Sequence, residues 1–174
     1  NRFNIVDIRG NIETRLKRLN DGDYDALILA EAGLVRLGYA DVIRSLLEPP
    51  EFLPAVAQGA IGIEIREDDT ATADVIAAIN DEPTFAAITA ERAFLRKLQG
   101  GCLAPIAAIG NVDDAGKLRL CGRILTVDGG QMLEGDLVGE TENADGLGIG
   151  LAEILLERGA DEIVKEIRGE FNKH

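Results

Sequence analysis

The spacing of apolar side chains changes period several times along the 174 residues, and each change predicts an element. Phe3 to Ile8 alternates and is apolar enough for a strand. It breaks at Arg9-Gly10-Asn11 into a helical pattern through Leu16 and Leu19, with Asn11 as the N-cap. Asn20-Asp21-Gly22-Asp23 reads as a turn, and Ala26 to Ala30 is a continuous apolar run suited to a strand covered on both faces. The opening stretch therefore predicts a β-α-β unit. Ala32 to Leu37 predicts a short helix ended by Gly38, and Pro49, Pro50 and Pro54 mark an extended crossing that no helix follows.

Beyond the prolines, Ala60 to Arg66 alternates with period two and predicts another strand, followed by a helix around Ala71 to Asn80. Pro83 to Leu98 predicts a well-marked helix, with Asp81 as its cap, Pro83 in its first turn and Gly100-Gly101 as its stop. Leu103 to Val112, Lys117 to Val127 and Met132 to Gly139 predict an antiparallel meander joined by hairpins at Asp113-Asp114-Ala115-Gly116 and Asp128-Gly129-Gly130. Ala144 to Arg158 is helical up to Gly159 at the C′ position, and Asp161 to Arg168 adds a last short helix. The expected fold is a fragment of α/β architecture in the first half and a small α+β domain in the second.

Composition narrows the classes of partner. Hydrophobic residues make up 46% of the chain, enough for a core without disulfides or metal staples. No run approaches the eighteen or so uninterrupted apolar residues that a membrane span needs. The net charge of −13 repels nucleic acid and anionic membrane at long range, so neither is an expected partner. An anionic ligand would have to be held by a few arginines acting within about one Debye length, ~8 Å. The two cysteines, Cys102 and Cys121, read as free thiols of a reducing compartment. The chain begins at Asn1 with no initiator Met and no leader, which reads as cytoplasmic and incomplete. The single histidine, His174, is terminal, and no cluster of His, Cys, Asp or Glu has ligand spacing, so no metal site is expected.

Several residues stand out as candidates for chemistry. Arg9 lies where the first strand ends and a helix begins, the usual ligand edge of an open α/β sheet. Arg15 lies in the first helical turn, where a cation opposes the helix dipole. An anion bound among Arg9, Arg15 and free backbone N–H groups accounts for that placement, and so does a solvated surface arginine or a salt bridge to Glu13 or Asp7. On the helix of Pro83 to Leu98, residues Phe85, Ile88, Phe94, Leu95 and Leu98 form an apolar arc that includes Glu91 and Arg92. These two charges need either ion-pair partners on neighbouring elements or a ligand. Gly100-Gly101-Cys102 places a thiol on a flexible turn ahead of Pro105, where it is reachable for chemistry or is an ordinary loop cysteine. Cys121, between Arg119 and Arg123 in a strand, reads as structural. Gly146-Leu147-Gly148-Ile149-Gly150 looks superficially like a dinucleotide loop, but no apolar strand precedes it, and packing at a helix start is the better account.

The segment from Glu91 to Ile106, Glu-Arg-Ala-Phe-Leu-Arg-Lys-Leu-Gln-Gly-Gly-Cys-Leu-Ala-Pro-Ile, closely resembles the cofactor-attachment signature of the hydroxymethylbilane synthase (porphobilinogen deaminase) family. Arg9-Gly10-Asn11 with Thr14-Arg15-Leu16, Ala32 to Gly38, and Leu53 to Glu64 resemble three further family segments in the same order. The resemblance implies an enzyme with two periplasmic-binding-protein-like α/β domains and a small α+β domain. Residues 1–54 would be the C-terminal half of the middle domain, 55–78 a segment returning to the first domain, and 79–174 the cofactor-carrying domain with a three-stranded antiparallel sheet. It also implies a dipyrromethane cofactor joined to Cys102 by a thioether, onto which four porphobilinogen molecules are polymerised with loss of ammonia before hydroxymethylbilane is released.

The same resemblance makes Arg9, Arg15 and Arg36 the set that binds the pyrrole carboxylates, since guanidinium forks grip carboxylates bidentately. It makes Gln58, Arg66, Glu91 and Arg92 interdomain or structural residues. The family's catalytic aspartate would lie upstream, so no catalytic residue is expected here, the fragment alone is expected to be inactive, and the complete enzyme is expected to be a monomer. Two positions depart from the family pattern: Ala104 replaces a common β-branched residue, and Ala57 replaces a more usual Gly. Without the resemblance, the same arginines also fit a non-enzymatic anion-binding module in which Cys102 is an incidental loop thiol.

Overall fold

The computed structural model describes residues 3–99 and 104–171, with side chains through 166. The chain divides into two compact units, 1–48 and 49–174.

In the first unit, helix α1 (Ile12–Asn20) starts where Asn11 Oδ1 accepts the Thr14 N–H at 2.8 Å, the cap that the sequence predicts. Helix α2 (Glu31–Arg36) is closed by Gly38 at φ +80°, and a turn of 3₁₀ helix follows at Ala40–Val42. The glycine matters at Gly33, where an added Cβ would lie 2.7 Å from Ile12 Cδ1, so α2 rests against the start of α1. Leu34 is the one buried hydrophobic residue among the described residues of this unit.

The strands expected at Phe3–Ile8, Ala26–Ala30 and Ala60–Arg66 do not form ladders, and the β-α-β unit is not assembled among the described residues. A strand is completed by a neighbour that takes its N–H and C=O groups, and no described segment supplies one. The apolar side chains that alternation marks for burial stay in solvent: Ile5 is 91% exposed and Ile61 92%.

The second unit contains the core. After a crossing that includes a cis Pro49–Pro50 bond, helix α3 (Thr70–Ala77) is capped by Asp69 and helix α4 (Glu82–Lys97) by Asp81, which accepts the Thr84 N–H at 2.9 Å. The predicted meander forms: β1 (Ile106–Val112), β2 (Lys117–Leu125) and β3 (Met132–Glu140) pair antiparallel in the order β1-β2-β3. Its turns are made by aspartates. Asp113 Oδ1 accepts the N–H groups of Ala115 and Lys117, and Asp128 Oδ1 accepts the Gly130 N–H and the Thr126 hydroxyl. Helix α5 (Ala144–Glu157) follows and Gly159 ends it at φ +98°, ahead of α6 (Ala160–Phe171).

Helices α4 and α5 cover one face of the sheet. Phe94, Leu118, Leu120, Ile124, Leu151 and Leu155 are fully buried between the layers, each worth roughly 1.5–3 kcal/mol of transfer free energy. The opposite face carries cross-strand ion pairs, Lys117 with Glu140, Arg119 with Asp136 at 3.1 Å and Arg123 with Glu134 at 2.7 Å. The glycine run of α5 is a packing device, as expected: a Cβ on Gly148 would lie 2.1 Å from the Ala90 carbonyl oxygen of α4.

Helix α4 differs from its predicted orientation. The buried arc is Ala86, Ala87, Ala90, Glu91, Ala93, Phe94 and Leu98, turned by roughly one residue's step of 100° from the predicted arc, so Phe85 is 61% exposed and Arg92 faces solvent. Small alanines win the inner face because they let α5 and β1 approach closely, an advantage that hydrophobicity alone does not rank. The helix ends within a residue of the predicted Leu98. Leu98 is the C-cap, and Gln99 takes the left-handed conformation at φ +53°. Gly100, Gly101 and Cys102 lie outside the described residues.

Candidate functional site

Arginines dominate the candidate residues of the first unit. Arg9 is exposed at the end of the segment leading into α1, and Arg36 is exposed in the last turn of α2. Neither guanidinium has a hydrogen bond or ion pair among the described residues. Arg15 is half-buried in α1, and its Nε donates to the Gly10 carbonyl at 2.8 Å. That bond fixes the stem; neither Glu13 nor Asp7 pairs with it, and the two terminal nitrogens have no partner among the described residues. Arg15 follows Ile12, and Arg36 follows Gly33, by three residues each. Both therefore lie one helical turn along from the point where α2 touches α1. Arg15 and Arg36 suit carboxylates, since these planar, permanently charged forks are placed by one helix contact.

The second unit contains the remaining candidates. Arg66 pairs with Asp69 at 2.9 Å on an exposed surface. Gln58 is exposed and borders an open groove lined also by Gly59, Thr84, Ile88, Glu91 and Asn111. Arg92 is exposed, with no hydrogen-bonding partner among the described residues.

Glu91 is 4% exposed, and among the described residues it has no ion-pair partner. Its Oε1 accepts the Gly110 N–H at 2.8 Å and its Oε2 accepts the Ala57 N–H at 2.7 Å. Burial pushes the carboxyl above the ordinary glutamate range, against the pull of the two N–H groups and the Arg92 charge.

Cys121 lies half-buried on the outer face of the sheet between Arg119 and Arg123. Burial raises its thiol above the usual value despite the arginines, so it is not an activated thiolate. Among the described residues no group of His, Cys, Asp or Glu could hold a metal ion, and no helix is long and apolar enough to cross a membrane. Cys102, the candidate for covalent attachment, lies outside the described residues.

Sequence reading missed Arg123. Its side chain is 16% exposed, and the guanidinium donates to the carbonyls of Pro50 and Glu51 at 3.0 Å each while pairing with Glu134. The two sides of this contact are more than seventy residues apart in sequence, and no local pattern announces it.

Two family models match the chain. That of the porphobilinogen deaminase dipyromethane cofactor binding domain covers residues 1–74, and that of the porphobilinogen deaminase C-terminal domain covers 85–157. The chain belongs to the porphobilinogen deaminase family. It is similar to the porphobilinogen deaminase of Thermus thermophilus, 44% identical over 164 residues, which are 94% of this chain and 54% of that protein. That of Moorella thermoacetica is 45% identical over 170 residues, 98% of this chain and 54% of that protein. That of Chlorobaculum tepidum is 46% identical over 167 residues, 94% and 53%. The chain thus spans a little over half the length of these family members.

Proposed function

We propose that this chain is the C-terminal part of a hydroxymethylbilane synthase, a transferase of tetrapyrrole and heme biosynthesis. The complete protein polymerises four porphobilinogen molecules with loss of ammonia and releases hydroxymethylbilane. The observation that carries this reading is the match to both domain models of one family along the chain. In this reading residues 1–54 complete the middle domain, 55–78 return to the first domain and 79–174 carry the cofactor.

Cys102, shortly after α4 in the sequence, holds a dipyrromethane through a thioether. When bound, that group supplies the free pyrrole position from which the product chain grows. Arg9, Arg15 and Arg36 bind and orient acetate and propionate groups. The uncommitted guanidinium nitrogens described above support this assignment, since a carboxylate receives two parallel N–H donors from each fork. The proton-transfer group belongs to the remainder of the protein, and so do the strands that cover Phe3–Ile8, Ala26–Ala30 and Ala60–Arg66.

The test is intact-mass measurement of the full-length protein and its Cys102→Ser variant. The wild type carries the added mass of two linked pyrroles and the variant does not. An unmodified Cys102 in active protein overturns the assignment, as does hydroxymethylbilane formation by the 174-residue chain alone.

A further inference from the structure

Residues 50–57 cross the C-terminal sheet and are attached to it at three points that differ in chemistry. Arg123 of β2 donates to the carbonyls of Pro50 and Glu51. Ala55 makes an isolated antiparallel bridge with Ala107 of β1. At Ala57 the crossing presents an N–H, while β1 presents the Gly110 N–H. Two donors cannot bond to one another, and the Glu91 carboxylate lies between them, giving one oxygen to each. β1 is one of the sheet's two edge strands, so these contacts cover part of an edge that would otherwise expose unpaired backbone groups.

We infer that Arg123, the Ala55–Ala107 bridge and Glu91 form a clasp that makes residues 50–57 travel with the C-terminal sheet, leaving Gln58–Gly59 as the first free pivot of the chain. Past the clasp the constraints end. Gly59 has φ +86° with open space where a Cβ would stand, Gln58 is exposed, and residues 61–66 make no ladder. A carboxylate suits the latch because it accepts at both oxygens. A glutamine amide would turn its NH₂ toward one of the two N–H groups and lose that contact. The inference holds whether or not Cys102 carries a cofactor.

The experiment compares the full chain with its Glu91→Gln and Arg123→Ala variants by amide hydrogen exchange and by glutamyl-endopeptidase cleavage after Glu51, referenced to cleavage after Glu67 outside the clasp. In Glu91→Gln, exchange is expected to rise tenfold or more at Ala57, Gly110 and Gln58, whose N–H bonds the Ala55 carbonyl within the crossing. Cleavage after Glu51 rises with it, and the amides of Leu120 and Leu155 keep their protection. Arg123→Ala produces the same loosening of Glu51 and Gln58 from the other end, and decides the matter by itself if Glu91→Gln does not fold. A rise confined to Ala57 and Gly110 overturns the clasp in favour of two isolated hydrogen bonds. A uniform rise through Leu120 and Leu155 overturns it in favour of a general packing role.

Discussion

Ala57 shows how one residue can carry both a local cost and a long-range contact. It holds φ +60°, a region that costs a residue with a Cβ about 1–2 kcal/mol, and its N–H is one of the two that Glu91 accepts. Sequence reading marks it as a departure from a usual Gly, and the backbone angle supplies the physical reason for that preference. Ala57→Gly should relieve the strain and return part of the gain as unfolded-chain entropy, roughly 0.5–1 kcal/mol. The expected outcome is a net stabilisation of about 0.5–1 kcal/mol, read as a higher urea midpoint with unchanged slope. A fall in the midpoint would show that the left-handed turn is not strained. Glu91 was legible as an anomaly, a charge on a buried face. Its partners were not, because backbone N–H groups are identical at every position and leave no trace in a pattern of side chains.

Among the elements, those with their own start and stop chemistry agree best with the sequence. The caps of α1 and α4 at Asn11 and Asp81, the aspartate turns of the meander and the glycine after α5 are all local hydrogen-bonding devices, satisfied within a few residues. The face of α4 is a different matter, because it depends on what packs against it. Gly148 of α5 admits the Ala90 carbonyl and the Ala93 side chain so closely that α4 turns its alanines inward. Gly148→Ala should push the two helices apart and destabilise the C-terminal unit by about 1–3 kcal/mol or more, the usual cost of overpacking. Chemical denaturation measures it. Gly150→Ala, whose Cβ would meet Leu137 Cδ1 at an ordinary 3.5 Å, serves as the control, expected to gain up to about 1 kcal/mol from helix propensity instead of losing stability.

Across the whole molecule, burial is unevenly distributed. The core from Ala86 to Val164 contains every buried hydrophobic residue among those described except Leu34, while residues 3–48 leave Phe3, Ile5 and Ile28 in solvent. Hydrogen exchange of this chain should therefore divide in two. Amides of β2 and of the middle of α5 exchange at rates set by global unfolding, and those of α1 and α2 exchange orders of magnitude faster. Equal protection in both units would contradict the division. On the proposed function, adding the remainder of the full-length protein should slow exchange in residues 3–8 and 60–66, where its strands would pair. The sequence by itself determined the helices, the meander and the family, since caps, turns and periodicity are properties of neighbouring residues. Tertiary structure alone decided which runs become strands, which face α4 buries and where Glu91 and Arg123 find their partners. A ladder needs a second chain segment, a buried face needs an opposing surface, and a contact spanning dozens of residues is written in neither segment separately.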